Sequence, residues 1–409
     1  MVYFYKQPKY FEDFKCIGGC CPESCCDGWE VQWRKVELDK LRETDASSDL
    51  KGFIDTAFEE TDEEDLYKVS MVSDEVLGEQ GEVLNVIKRC PFHNKETGLC
   101  DIQKELGEEY LGVVCKSYPR RYFTCNNVIL RTCTTSCPAV LNLLFSDDRA
   151  VTPLLTPARD VAEASKTVSI KMDGDETFNT YPILKYRFEL LDFFWDLMCI
   201  NNRTVETSII LGALAAKKFS DAAASRKYNS IPELIKELRS QMNSTAVLRS
   251  VEEIVPNYSI KFKITNNAIV MFFGERTHNI DISALHNGKE LIVENYLAGI
   301  ENFNKAFEGK NYILRNVFIN LLLDCKMPLY DPRQSIFDNY SYFVMCAAII
   351  KTVAAAIGFT SSRIEADFRR AVSEISRTIS HNMGANKDII KEMQNIGLTT
   401  PAHLALIIK

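Results

Sequence analysis

The sequence predicts a mainly α protein in two parts, a small cysteine-rich α+β domain at the N-terminus followed by a larger helical domain. Three observations carry this. Eleven of the fourteen cysteines lie in the first 137 residues, five of them between Cys16 and Cys26. Elements in that part are short, whereas the remainder carries long amphipathic stretches with helix-start signals. A polar, Pro- and Asp-containing passage from Ser146 to Pro182 separates the two. The expected division is a cysteine-rich domain at 1–150 that holds a metal cluster and a helical domain at 151–409, consistent with about two or three domains at roughly 150 residues each.

In the N-terminal part, Trp29 to Trp33 alternates as a strand does, and Glu82 to Lys88 reads as another. Tyr122 to Thr132 reads as a hairpin turning at Asn126-Asn127, a pair that tolerates the positive φ of a two-residue turn. A short helix is expected from Asp101, whose carboxylate can cap it, with Ile102, Leu106 and Tyr110 on one face; another follows Pro138. In the C-terminal part, helices are expected over Pro182–Cys199, Val205–Phe219, Leu291–Phe307, Ile313–Cys325, Ile336–Ile357 and Ser362–Ser380. Ser230…Glu233 and Ser362…Glu365 fit capping boxes. The β-branched and aromatic stretch from Lys261 to Ile282 is expected to form a short hairpin.

Composition narrows the partners. With 56 acidic against 48 basic residues the net charge is −8, which argues against a nucleic-acid backbone as main partner. The most apolar stretch, Asn339 to Gly358, is interrupted by Lys351, and its uncharged run is short of the ~20 residues a bilayer needs. No membrane partner and a cytoplasmic location are therefore expected. The N-terminal decapeptide lacks the apolar core of a secretory signal, and adjacent cysteines (Cys20-Cys21, Cys25-Cys26) do not readily bridge each other. Clustered thiols in a reducing compartment point to metal or iron–sulfur ligation, with redox switching as the alternative. Cys199, Cys325 and Cys346, in apolar helical sequence, read as small buried hydrophobes.

The order Phe14-Lys15-Cys16-Ile17-Gly18, Cys21-x3-Cys25-Cys26-x-Gly28-Trp29, Cys90-Pro91, Leu99-Cys100, Cys115 through Pro119-Arg120, and Cys137-Pro138 resembles the flagellin lysine-N-methylases. Part of it is shared with zinc- or iron-chelating cysteine-cluster proteins. Farther along, Glu294-Asn295-Tyr296-Leu297 and Ser376-Arg377-Thr378-Ile379-Ser380-His381-Asn382 are similar to the methylases' C-terminal pattern; the stretch from Ser146 to Thr180 and the expected hairpin near Phe272 are unmatched. The resemblance implies an S-adenosylmethionine-dependent protein-lysine N-methyltransferase acting on flagellin, with a [4Fe–4S] cluster. It implies Cys16, Cys21, Cys25, Cys26, Cys90, Cys100, Cys115 and Cys137 as the metal-ligating pattern, with Cys20, Cys125 and Cys133 as extras. A cubane needs about four thiolates, so a second metal such as zinc, or a cluster plus buried thiols, both stay open. The sequence contains no C-x3-C-x2-C triplet of the radical type and no G-x-G-x-x-G turn.

Methyl transfer to lysine needs a neutral amine, although a free lysine has a pKa near ~10.4. Proton acceptors suggested by the family-like motifs are Glu294, Tyr296 and His381; for Glu294 a surface salt bridge, and for His381 a helix cap, are the competing readings. Arg120 and Arg121 are candidates for a donor carboxylate, against cluster-charge compensation or a surface ion pair, and Trp29, Trp33 and Tyr118 for its adenine, against core packing. The acidic run Glu59 to Asp65 either attracts a lysine-bearing substrate or is a solvated loop. The rival to an enzyme is a non-catalytic metal-binding or redox-sensing module.

Overall fold

Strands from widely separated parts of the chain build one five-stranded sheet in the order β10-β7-β8-β1-β9. The computed structural model describes every residue except 1–2, 29, 78–82, 159–168, 172–173, 274–279, 289, 326, 330 and 382–384. In chain order the strands are β1 (Phe4–Pro8), β2 (Gln32–Arg34), β3 (Phe58–Glu60), β4 (Leu66–Val69), β5 (Val72–Leu77), β6 (Val83–Arg89), β7 (Arg120–Cys125), β8 (Val128–Cys133), β9 (Pro153–Pro157) and β10 (Ser169–Lys171). The hairpin β7–β8 turns at Asn126, whose φ is 55°. β1 runs parallel to β8 and antiparallel to β9. Of the expected strand over 29–33 only the end forms, as β2, which begins at Gln32 and runs one residue further to Arg34; Trp29 lies outside the described residues.

The helices are α1 (Tyr10–Asp13), α2 (Lys35–Arg42), α3 (Ser48–Thr56), α4 (Asp101–Leu106), α5 (Val113–Ser117), α6 (Pro138–Ser146), α7 (Asp175–Thr180), α8 (Arg187–Cys199), α9 (Val205–Ala224), α10 (Ile231–Gln241), α11 (Thr245–Glu252), α12 (Tyr258–Phe273), α13 (Val293–Ala306), α14 (Tyr312–Asp324), α15 (Ile336–Thr360), α16 (Ile364–His381), α17 (Ala385–Asn395) and α18 (Pro401–Ile408). The protein is mainly helical, with its sheets in the N-terminal part.

Two hydrophobic cores organise these elements. The larger joins sheet residues such as Tyr5, Phe123 and Ile129 to the C-terminal helices, with α15 at its centre against α9, α12, α13, α16 and α18. The smaller gathers Val31, Trp33, Leu41, Leu50, Ile54, Val69, Phe92 and Ile102, packed beside the three-stranded sheet β2-β4-β3. β9 leaves the 1–150 stretch and pairs back with β1, so the passage after Ser146 is partly sheet. By length and composition α15 is apolar enough to cross a membrane, because Lys351 does not stop it; the helix is instead surrounded by protein. Lys351 reaches the helix bundle's edge, pairing with Glu206 at 2.6 Å and donating to the Ile408 carbonyl at 2.8 Å.

Several sequence expectations need correction. Lys261 to Phe273 is helical, not a hairpin: Phe262, Thr265, Ile269 and Phe273 recur at helical spacing and form the buried face of α12. Helical period outweighed β propensity there; of the rest of the expected hairpin, residues 274–279 lie outside the described residues. Neither capping box closes. Ser230 Oγ donates instead to the Lys227 carbonyl at 2.8 Å. Ser361, not Ser362, accepts the Arg363 amide at 2.8 Å and donates to Asp367 at 2.6 Å, since α16 begins at Ile364. Asp101 is the first residue of α4 rather than its cap, which is Cys100, and α4 stops at Leu106 before Tyr110.

α13 and α15 touch through glycine. A Cβ on Gly299 would sit 2.0 Å from the Ala355 carbonyl oxygen, and one on Gly358 would sit 2.0 Å from that of Gly299. Both helices run backbone to backbone at this crossing, which no larger residue permits. Gly358→Ala is expected to lower stability by about 1–3 kcal/mol, read as a fall in the urea midpoint; an unchanged midpoint means the crossing is looser than described.

Candidate metal centre

The cysteines reach one another from separate elements. Cys16 follows α1, Cys21, Cys25 and Cys26 lie in the loop before β2, Cys90 follows β6, Cys100 and Cys137 are the N-caps of α4 and α6, and Cys115 is inside α5. Backbone bonds draw these segments together. The Cys90 amide donates to the Cys26 carbonyl at 2.8 Å and the His93 amide to the Cys90 carbonyl at 3.0 Å, while His93 forms an antiparallel bridge with Cys100. Cys90, Cys100 and Cys115 pack against the small core. Gly112 seats α5 there, since a Cβ on it would meet the Trp33 indole at 2.7 Å. Gly19 brings the first cysteine loop against the turn before Cys100, where a Cβ would lie 2.3 Å from the Thr97 carbonyl oxygen.

Burial raises Cys90 to about 12 and raises Cys100 and Cys115 as well; the charge of Cys100 adds to the rise at Cys90, those of Cys90 and Cys100 to the rise at Cys115, and those of Asp101 and Cys25 to the rise at Cys100. Amides of Phe92 at Cys90, and of Gln103 and Ile102 at Cys100, act in the opposite sense by pointing at the sulfurs, although no full cap hydrogen bond closes at Cys100. Cys25 differs. A hydrogen bond from Cys26, with Arg377 nearby, lowers it to about 7, and the same bond with burial pushes Cys26 far up. Cys21 is raised by burial, its S–H donating to the Glu23 carbonyl at 2.9 Å. Cys137 is raised to about 11 by burial, and Cys21 and Cys16 both act on it. Among the described residues, no three His, Cys, Asp or Glu side chains already surround a common point as metal ligands do. The set nevertheless fits a thiophilic group: soft sulfurs from several segments, five of them half-buried, with backbone amides directed at Cys90, Cys100 and Cys137.

A helix from the far end of the chain closes one side of this region. Ser373 on α16 donates to Glu23 at 2.6 Å and to the Ser136 carbonyl at 3.1 Å, and Ser376 shares a 2.5 Å hydrogen bond with Thr135. Arg377 donates to the Ser24 carbonyl at 3.3 Å and pairs with Glu23 at 3.5 Å. Sequence reasoning gave no role to Glu23, Ser373 or Arg377. The signal was present: Ser373, Ser376 and Arg377 share a helical face, and two of them lie in the family-like motif. A cavity of about 440 Å³ opens at this seam between Pro22, Glu23, Pro138, Asn142, Arg370 and Ser373.

The other candidates are dispersed. Tyr118 shares a 3.1 Å hydrogen bond with Ser136, and burial raises its phenol. Arg120 stacks on Phe14 at 4.9 Å, and Arg121 pairs at 3.1 Å with Asp324, a buried carboxylate that also accepts from Thr134 at 3.0 Å. Glu294 is exposed on α13, while Tyr296 of the same helix is buried beside Tyr258, ring centroids 5.5 Å apart. His381 ends α16; its side chain and Asn382 lie outside the described residues. Cys20 is exposed, and Cys125, Cys133, Cys325 and Cys346 are buried, whereas Cys199 is half-buried.

Two outcomes follow. In metal-free protein at neutral pH, Cys25 should alkylate before Cys21, Cys90, Cys100 and Cys115, because its thiol is held below the ordinary cysteine range; Cys26→Ala removes the hydrogen bond and should shift the pH of half-maximal alkylation upward in peptide-mapping mass spectrometry. The Tyr296 hydroxyl is buried with no hydrogen-bond partner among the described residues. Tyr296→Phe should therefore leave the denaturation midpoint unchanged or raise stability by about 1 kcal/mol, and a fall would reveal a partner for the hydroxyl.

The comparisons with known proteins bear on both halves. The model of the FliB lysine N-methylase C-terminal domain matches residues 192–407. Lysine-N-methylases of Salmonella choleraesuis (strain SC-B67) and Salmonella typhimurium (strain LT2) are each 22% identical to the chain, over 95% of its length and 95% of theirs. The flagellar biosynthetic protein FliU of Salmonella muenchen is 27% identical over 36% of this chain and 79% of its own. No solved structure matches. With the family model spanning more than half of the chain and two full-length relatives carrying the same activity name, this protein belongs to the FliB lysine N-methylase family.

Proposed function

We propose that the protein transfers a methyl group from S-adenosylmethionine to lysine side chains of flagellin, in the cytoplasm, with a [4Fe–4S] cluster held by Cys26, Cys90, Cys100 and Cys115. The observation that supports the metal part is that Cys90, Cys100 and Cys115, from three segments, pack against the small core, and that the segment of Cys26 is tied to them by the hydrogen bond from the Cys90 amide. The lysine methyltransferase role rests on the family, and the flagellar substrate on the names of the relatives. A reducing compartment keeps such thiols available for a metal. When bound, the cluster supplies a redox-active, Lewis-acidic iron–sulfide unit and ties the small core together.

In the transfer, the lysine nitrogen lone pair forms the new N–C bond as the methyl–sulfur bond of the sulfonium breaks, leaving a neutral thioether; the ammonium proton must leave first. Glu294 stands exposed on α13, where a carboxylate can meet the lysine of a large protein substrate and take that proton. Tyr296 is suited to a different task, because burial raises its phenol and keeps the proton on it. His381 is the remaining candidate for proton transfer, at the end of the helix that holds the cysteine loops. Arg120, Arg121 and Tyr118 lie on the β7 side of the same region and are proposed to form the wall facing the donor.

The test is anaerobic purification with iron, sulfide and zinc analysis, followed by mass spectrometry of flagellin incubated with protein and donor. Equal iron and sulfide, a brown colour and methylated lysines are expected. Glu294→Gln should slow methylation by about 100-fold or more at unchanged iron content. Methylation by an iron-free, colourless preparation would remove the cluster from the proposal, and iron-loaded protein that transfers no methyl group would remove the activity.

A further inference from the structure

Two of the residues proposed to face the methyl donor, Arg121 and Tyr118, are tied to a single carboxylate, that of Asp324 at the end of α14. The first tie is direct. Arg121 Nη1 pairs with Asp324 Oδ1 at 3.1 Å, and the two side chains are 23% and 1% exposed. A ligand can therefore reach the guanidinium but not the carboxylate that holds it. Asn320, one turn earlier on α14, binds Tyr10 and the Cys133 carbonyl, so the joint between sheet and bundle has a fastening of its own.

The second tie is a chain of hydroxyls. Thr134 Oγ1 donates to Asp324 Oδ2 at 3.0 Å, Ser136 Oγ donates to Thr134 Oγ1 at 3.2 Å, and the Tyr118 hydroxyl lies 3.1 Å from Ser136 Oγ. The polarity of this chain is fixed from its carboxylate end. An ionised carboxylate only accepts, and each hydroxyl carries one proton. Thr134 gives its proton to Asp324 and Ser136 gives its own to Thr134, so in the Tyr118–Ser136 bond the phenol is the donor. Tyr118 then meets the N–H group of a ligand with its oxygen lone pairs, as an acceptor.

We propose that Asp324 is a positioning residue for the methyl donor: it holds the Arg121 guanidinium directly and, through Thr134 and Ser136, sets the Tyr118 oxygen as acceptor for an N–H group of S-adenosylmethionine. This deepens the function proposed above and rests on its placing of Arg121 and Tyr118 on the donor side. S-adenosylmethionine carries a carboxylate as well as amino groups, and a fixed cation with a fixed acceptor matches those two kinds of group. Three of the linked side chains, Asp324, Thr134 and Ser136, are buried, where hydrogen bonds are electrostatically stronger and polarise one another along a chain. Asp324 acts from the far side of that chain and touches no ligand itself.

The test is calorimetric titration of S-adenosylmethionine into anaerobically purified full-length protein, together with the donor KM and kcat for flagellin methylation. Thr134→Val keeps the side-chain shape and severs the Tyr118 arm alone; it should weaken donor binding about 5–10-fold. Tyr118→Phe should weaken it by a similar factor, and Thr134→Val/Tyr118→Phe no further than Tyr118→Phe does, because both act through one phenol. Asp324→Asn should weaken it more, since an amide both donates and accepts, so that the chain can run either way, and it no longer neutralises Arg121. The loss should fall on the donor KM, whereas a merely structural role lowers the active fraction, and with it kcat, at unchanged KM. Urea midpoints check that each variant is folded, and Thr134→Val decides the matter if Asp324→Asn is not. Wild-type affinity in folded Thr134→Val, or factors that multiply in the double variant, overturns the positioning role and leaves the methyltransferase reading intact. Wild-type protein that binds no S-adenosylmethionine removes the donor from the proposed function, and the positioning role with it.

Discussion

The contact on which the arrangement depends is the polar edge of α16 against the two loops that carry the first and last cysteines of the pattern. Ser373, Ser376 and Arg377 bind Glu23, Ser24, Thr135 and Ser136, residues from opposite ends of the N-terminal part. A loop containing Gly18, Gly19 and Pro22 has little apolar surface with which to fix itself, and these hydrogen bonds add to the close contact of Gly19 with Thr97 and the bond between Cys90 and Cys26 in holding it. The helix can supply them because its other face is anchored: Phe368, Val372 and Ile375 are buried in the large core. Burial at one face of α16 is thereby converted into the position of thiols at the other.

A second constraint is desolvation. Thiols gathered at a half-buried seam resist ionisation, and those at the small core are held up by burial and by one another. Helix starts act in the opposite sense, because Cys100 and Cys137 occupy the N-cap positions of α4 and α6, where amide groups and the helix dipole favour negative charge. The ion pair between Arg121 and the buried Asp324 ties the β7–β8 hairpin to α14, and Thr134, just after β8, donates to the same carboxylate.

Much of the fold is legible in the chain. The hairpin at Asn126, the short helices before Leu106 and after Pro138, and the long C-terminal helices follow from turn chemistry and helical period. The stretch around Phe262 misleads because β-branched and aromatic residues also suit a buried helical face, and the period, not the composition, was the informative signal. The capping boxes mislead because a serine three residues before a glutamate fixes no backbone geometry; at α16 the neighbouring Ser361 takes the role. The candidate proton-transfer residues are legible as motifs, but their surroundings are not, as Glu294 and Tyr296 show by standing two residues apart on one helix, one exposed and one buried.

By itself the sequence determined the chemistry available: fourteen cysteines with eleven ahead of residue 138, an acidic balance, and a helical C-terminal half whose pattern belongs with the lysine N-methylases. It did not determine which thiols meet. That was decided by tertiary contacts between residues more than a hundred positions apart, such as Tyr10 with Asn320 and Glu23 with Ser373. Spacing along a chain limits what neighbouring residues can reach, whereas the grouping of distant sulfurs is set by which hydrophobic core each supporting element joins: the small one for Cys90, Cys100 and Cys115, the large one for Cys137.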